Sequence, residues 1–379
     1  MKTRLFAAAA ALGLLGVTTQ AQAQIKIGAI LSISGPGAAM GVGYKGAFDF
    51  FPKEIGGQTV EYIIRDDATD ASTGFTIAQK MISDEHIDAF IGPSFTATDA
   101  AVAPLANQAH IPMIAMAPYE YDPAKQPFTF SDAQPLPLMV AAVFKYMKAH
   151  GVKQIGYIGF SDGWGDQVLA ATKHWSEVDG MTILADERYA RPDTSVAAQV
   201  LKLISVHPEA VMMGTSATPA ALPVVELRRR GFKGGLYGNH GIVSPAFIKV
   251  GGAAVEGVIA VTSPAVVYDQ LDASNPVKPV ATSFMTEYTK QFGPQSVSPF
   301  AGYSYDAMLL LKNAIPIALK TSKPGTEEFR LALRDALEKT HELVGVSGVY
   351  TMSPANHNGQ DERAAVLVEV KDGAWRAIQ

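Results

Sequence analysis

Two hydrophobic rhythms take turns along this chain. Short apolar runs bounded by turn residues read as buried strands over 25–31, 60–65, 89–91 and 113–115. Between them, apolar positions three or four apart predict helices over 41–51, 72–84 and 96–109. Strands alternating with helices of this length indicate βαβ units and a parallel sheet. The stretch 128–137, with two prolines and little periodicity, breaks the pattern and reads as a crossover. The alternation then restarts. Helices are expected over 138–149, 167–178, 194–206 and 217–230, the last stopped by Gly231. Strands are expected over 154–160, 181–189, 210–213, 235–237 and 255–261. A second irregular stretch, 263–279, carries Pro264, Pro276 and Pro279. Helices over 280–292, 299–319 and 327–339 follow, then strands near 346–352 and 364–370. The pattern describes two α/β lobes joined by more than one crossover, an arrangement suited to a hinge with a ligand in the cleft.

The first residues do not belong to this pattern. Lys2 and Arg4 precede an apolar run over 5–17, and Ala21-Gln22-Ala23 places small residues before Gln24. These features predict a secretory signal, residues 1–23, cleaved before Gln24. The run is too short for a membrane span, which needs roughly 20 residues. No later apolar stretch approaches that length, so the mature chain is expected to be soluble and periplasmic. The 379 residues contain no Cys, which removes disulfides, lipid attachment after the signal, Cys-ligated metal and a thiol nucleophile. A formal charge of −5 argues against nucleic acid as a partner.

Three motifs invite an enzymatic reading. Gly41-Val42-Gly43-Tyr44-Lys45-Gly46 imitates a dinucleotide fingerprint, with Asp66 beyond it. Its first glycine, however, falls about ten residues after the strand instead of in the turn. Close packing of a helix start against a sheet explains the glycines better. Gly159-Phe160-Ser161-Asp162-Gly163 matches a nucleophile elbow, with histidines downstream at 174, 207, 240, 341 and 357. Trp164-Gly165 after it suggests a longer loop than an elbow uses. Asp66-Asp67 with Asp70 lacks the ligand spacing of a calcium loop, and a helix N-cap at Asp70 or Ser72 is the expected role. Arg228-Arg229-Arg230 closes a helix, where cations oppose the dipole. No metal or cofactor is called for.

Several segments together resemble one family. They are Ile27–Gly37 (IGAILSISGPG), Asp66-Asp67, Ile91-Gly92-Pro93 with Thr96, His110–Ala115 (HIPMIA), Gly163-Trp164-Gly165 and Tyr303-Ser304-Tyr305-Asp306-Ala307. In this order and spacing the chain resembles the periplasmic solute-binding proteins of the branched-chain amino acid ABC transporter class. The resemblance implies the type I periplasmic binding fold: α/β, two Rossmann-like lobes joined by a three-crossover hinge. It implies an N-terminal lobe of residues 24–133 plus 264–345 and a C-terminal lobe of 134–263 plus 346–379. Hinge segments are then expected near 131–137, 263–264 and 343–345. It also implies a monomeric, non-enzymatic receptor that delivers a small-molecule ligand, an organic acid or an amino acid, to ABC permease subunits.

The family's carboxylate site maps onto the hydroxyl of Thr96 and the main chain of Ala117 and Tyr119. The start of the helix near Thr96 offers amide N–H groups to an anion. Where amino acid binders carry an acidic residue for the ligand's ammonium, this chain reads Gly238-Asn239-His240-Gly241. A neutral His cannot replace a carboxylate there, although it can hydrogen-bond a hydroxyl or a carbonyl. Trp164 stands where the family often has Tyr, and Met40 where it often has an aromatic. With Phe95, Tyr119 and Tyr305 these residues suggest an apolar, partly aromatic wall. The expected ligand is a small carboxylate with an apolar or aromatic body, such as a benzoate or phenylpropanoid. Branched-chain amino acid, amide or urea binding by the same fold stays open, as do a sensor and an exported serine hydrolase using Ser161.

Overall fold

The computed structural model describes residues 24–378, so the signal segment lies outside the described residues. The chain opens with β1 (Ile25–Leu31) and α1 (Ala38–Gly46), then a hairpin of β2 (Glu54–Ile55) and β3 (Gln58–Asp66). α2 (Ala71–Lys80), β4 (Ala89–Ile91), α3 (Thr96–Gln108), β5 (Met113–Ala115) and β6 (Thr129–Ser131) follow. These strands form a six-stranded sheet ordered β2-β3-β1-β4-β5-β6, parallel except where β2 meets β3. β4 and β5 are apolar throughout because both faces of the sheet are covered.

The second unit runs α4 (Leu136–Ala149), β7 (Gln154–Phe160), α5 (Gly163–Asp179), β8 (Thr182–Tyr189), α6 (Ala197–Ser205) and β9 (Ala210–Gly214). α7 (Ala221–Arg229), β10 (Gly235–Gly238), α8 (Pro245–Gly251) and β11 (Ile259–Thr262) continue it. The chain then returns to the first core with α9 (Lys278–Phe292), α10 (Pro299–Ala318), α11 (Glu327–Leu337) and a hairpin of β12 (Leu343–Val344) and β13 (Val349–Tyr350). Last come β14 (Val366–Lys371) and β15 (Ala374–Ala377). The second sheet has seven strands ordered β15-β14-β11-β10-β9-β7-β8, with β14 and β15 antiparallel additions at one edge.

In each sheet the strand order reverses beside the first strand of the unit, between β1 and β4 and between β7 and β9. Loops diverge there and leave a crevice at the carboxyl ends of the strands. The chain passes between the two cores three times, and the passages bond to one another. Gln134 Nε2 donates to the carbonyls of Thr262 and Ala364. Asn358 Nδ2 donates to the carbonyls of Ser131 and Ala133. Val346, Val349, Tyr350 and Met352 pack in the first core, so the third passage follows Met352 instead of lying at 343–345.

Several local features differ from the sequence reading. β6 lies inside the stretch expected to be a plain crossover, and α8 and β15 were not expected. α5 starts at Gly163, four residues earlier than expected, because the Asp162 side chain caps it by accepting from Gly165 N at 3.1 Å. Asp70 caps α2 in the same way, accepting from Thr73 N at 2.7 Å.

Candidate functional site

A pocket partly open to solvent sits where the two switch points face each other. The first unit contributes Met40 and Tyr44 from α1, then Ser94 and Phe95 after β4 and Thr96 at the start of α3. Ala117 and Pro118 after β5, with Phe300 at the start of α10, complete that side. The second unit contributes Trp164 from the start of α5 and Arg191 after β8. Ser216 after β9, and His240 and Gly241 after β10, close the wall.

Local chemistry explains how each wall is held. The Asp66 carboxylate accepts from the N–H groups of Ile33, Ser34 and Ala68, which folds the loop after β1 over the sheet. Gly41 lets α1 lie on that loop, since a Cβ there would sit 2.0 Å from the Ser32 carbonyl oxygen. The G-x-G-x-x-G run is therefore a packing device inside a helix. On the opposite wall, the Asn239 side chain accepts from Gly241 N at 2.8 Å and donates to the carbonyls of Met213 and Thr215. Asn239 thus clamps the short turn that presents His240. Trp164 donates from Nε1 to Thr215 O at 3.4 Å and stacks on the His240 ring at 5.9 Å.

Arg191 is the charged member of the lining. Its Nε donates to Asp162 Oδ2 at 2.5 Å and its Nη1 to Ser216 Oγ at 3.0 Å. The guanidinium lies between two rings, 4.0 Å from the centroid of Phe160 and 4.6 Å from that of Phe95. Phe95 belongs to the first unit, so this contact spans the cleft. Burial pulls the guanidinium pKa down and Asp162 opposes the shift. Arginine remains charged in any such setting. His240 is buried, with Nδ1 2.7 Å from the Tyr303 hydroxyl. Burial pushes its imidazole down to about 3, so it is neutral near pH 7.

Of the expected site residues, Met40, Phe95, Thr96, Ala117, Trp164 and His240 line this cavity. Tyr119 and Tyr305 do not. Tyr119 stacks on Tyr121 at 5.8 Å and faces a separate surface cleft beside the first passage. Tyr305 stacks on Phe284 at 4.0 Å in the first core. On α10 it lies two residues, about 200°, from Tyr303, so it points away from the face that carries Phe300 and Tyr303. Thr96 occupies the first helical position and Phe95 the cap position of α3. The Thr96 hydroxyl donates to Pro118 O at 3.0 Å, which commits its proton to the protein. Arg191, Tyr44, Ser216 and Phe300 escaped the sequence reading. A basic residue directly after a strand and near a switch point was the available signal for Arg191.

Ser161 is exposed, and its N–H donates to Tyr189 O at 2.8 Å. Among the described residues no histidine hydrogen-bonds its side chain. His240, the histidine in the cavity, is bound to Tyr303.

The family model for periplasmic binding proteins matches residues 24–374. The chain is similar to the Leu/Ile/Val-binding protein homolog 6 of Brucella abortus, 32% identical over 97 residues. That match covers 24% of this chain and only a quarter of the relative's length. Among solved structures, an extracellular ligand-binding receptor from Rhodopseudomonas palustris HaA2 is similar at 38% identity and TM-score 0.92. The match covers 94% of this chain and 100% of that one. A solute-binding protein of an ABC transporter from R. palustris, solved with 4-hydroxybenzoate, shares the fold at 20% identity and TM-score 0.78. That match covers 94% of this chain and 96% of the other.

Proposed function

The chain belongs to the periplasmic binding protein family, and from that premise we propose that it captures a small carboxylate with an apolar or aromatic body for an ABC importer. One observation carries the ligand class. Among the described residues the lining holds a single ionised side chain, the Arg191 guanidinium, and no Asp or Glu. An α-amino acid would bring an ammonium against a largely apolar lining with no carboxylate to receive it, which is unfavourable once the cleft closes on it. A simple carboxylate instead meets Arg191 and the first-turn amides of α3, both suited to an anion. Its apolar body lies against Phe95, Trp164, Met40 and Phe300. This adds a cation to the sequence reading, which gave the carboxylate to Thr96, the α3 start and the main chain of Ala117 and Tyr119. A ring is compatible with the fold, since the R. palustris protein that shares it was solved with 4-hydroxybenzoate.

Capture works through closure. The two cores act as lobes, with the third passage after Met352. A ligand held by Phe95 and Thr96 from one lobe and by Trp164, Arg191 and His240 from the other favours the closed form. The closed form is the one a permease recognises. Residues 1–23 direct export to the periplasm, and the monomer needs no cofactor. A thermal-shift screen of residues 24–379 tests the reading. Aromatic acids should raise the melting temperature, by the equivalent of about 2.7 kcal/mol at 100 times the dissociation constant. Leucine, valine, amides and urea should not. A shift with leucine would overturn the carboxylate reading and leave the family assignment standing.

A further inference from the structure

We propose that the carboxylate also bears a hydroxyl, and that His240 reads that hydroxyl by accepting its hydrogen bond. The inference rests on the carboxylate reading above and narrows it. It follows from where the protons lie along three buried side chains, Gln134, Tyr303 and His240. The Gln134 amide nitrogen donates to the carbonyls of Thr262 and Ala364. Turning the amide over would set its oxygen against two carbonyl oxygens, so the orientation is fixed. Oε1 therefore faces the Tyr303 hydroxyl, at 3.2 Å. An amide oxygen only accepts, and we assign the single phenolic proton to it because that placement leaves neither the buried amide oxygen nor the hydroxyl without a partner. The Tyr303 oxygen, 2.7 Å from His240 Nδ1, is left to accept, and Nδ1 carries the ring proton.

Nε2 then holds a lone pair. Among the described residues no hydrogen bond reaches Nε2, and the His240 ring lines the cavity. The ring is neutral, because burial in this aromatic setting opposes a second proton. A carboxylate cannot pair with such an atom, since both groups only accept. An ether or a bare ring edge also leaves it empty. A phenolic or alcoholic O–H fits, donating to Nε2 while the carboxylate stays with Arg191. A site that leaves a buried acceptor unpaired discriminates against ligands lacking the donor.

Calorimetric titration of the mature protein with matched acids tests this. The panel holds 3- and 4-hydroxybenzoate and 4-hydroxycinnamate, each beside its deoxy and O-methyl counterparts. At least one hydroxy acid should bind roughly tenfold or more tightly than both counterparts. In Tyr303→Phe, which frees the ring proton to move to Nε2, the hydroxy and O-methyl acids should come within about threefold of each other. Equal binding of deoxy and hydroxy acids by the wild type overturns the inference and leaves the carboxylate reading intact. Failure of every acid to bind overturns both. ¹⁵N shifts of His240 in the unliganded wild type provide a test independent of the variant's folding. An unprotonated Nε2 supports the inference, and a protonated Nε2 sinks it.

Discussion

His240 should make the unliganded protein acid-sensitive by an amount the structure sets. Its imidazole is pushed by burial from an ordinary 6.5 to about 3. Between these values the unfolded chain binds a proton that the folded chain excludes. Stability contributed by the neutral ring is thus complete above the unfolded pKa and declines as pH falls below it. At about pH 5 the loss is roughly 2 kcal/mol, from about 1.36 kcal/mol per pH step. For a chain of this size that lowers the melting temperature by roughly 3 °C. Burial lifts the carboxyls of Asp99, Asp132 and Asp306, the last to about 6, and these act in the opposite direction. The folded state takes up their protons first, so acid favours it. The wild-type curve alone therefore mixes both signs. The assay is scanning calorimetry of the wild type and His240→Gln at about pH 7.5 and about pH 5, compared by difference, which cancels the carboxyls. The gap between the two proteins should shift by roughly 3 °C against the wild type on acidification. A gap independent of pH would refute the claim that His240 is held neutral.

Gly41→Ala should destabilise by about 2 kcal/mol or more in urea unfolding, because its Cβ would meet the Ser32 carbonyl oxygen at 2.0 Å and backbone cannot yield cheaply. Asp306→Ala should cost about 3 kcal/mol or more in the same assay. It strands the N–H groups of Val346 and Ser347 and the Tyr350 hydroxyl, all now within 2.8 Å of the carboxylate. Ser161→Ala should leave ligand affinity within about twofold, as expected for an exposed side chain outside the cavity. Loss of a measured hydrolytic turnover in that variant would instead favour the hydrolase alternative.

The alternation of strands and helices was legible because both sheets are covered on both faces, so each buried strand is a continuous apolar run. β6 was hidden because its three residues sit between a turn and the prolines of the first passage. α8 spans only seven residues, too few for a period, although Ser244 before Pro245 is a cap signal that could have found it. The site divides the same way. Thr96, Trp164 and His240 stand at the starts of helices and turns, which the pattern locates well. Tyr305 was misplaced for want of helical phase, which α10 conceals by being apolar on nearly every face. Arg191 reaches the cavity from an irregular loop, and its pairing with Asp162 joins residues 29 positions apart. No local pattern encodes that contact.

The claim that an anion is held by Arg191 is tested most directly by titrating benzoate and benzamide, which share a shape but not a charge, into the wild type and Arg191→Gln. The wild type should bind benzoate and reject benzamide by roughly tenfold or more, and the variant should lose that preference. Equal affinity of the wild type for acid and amide, or undiminished benzoate binding by Arg191→Gln, would contradict the account.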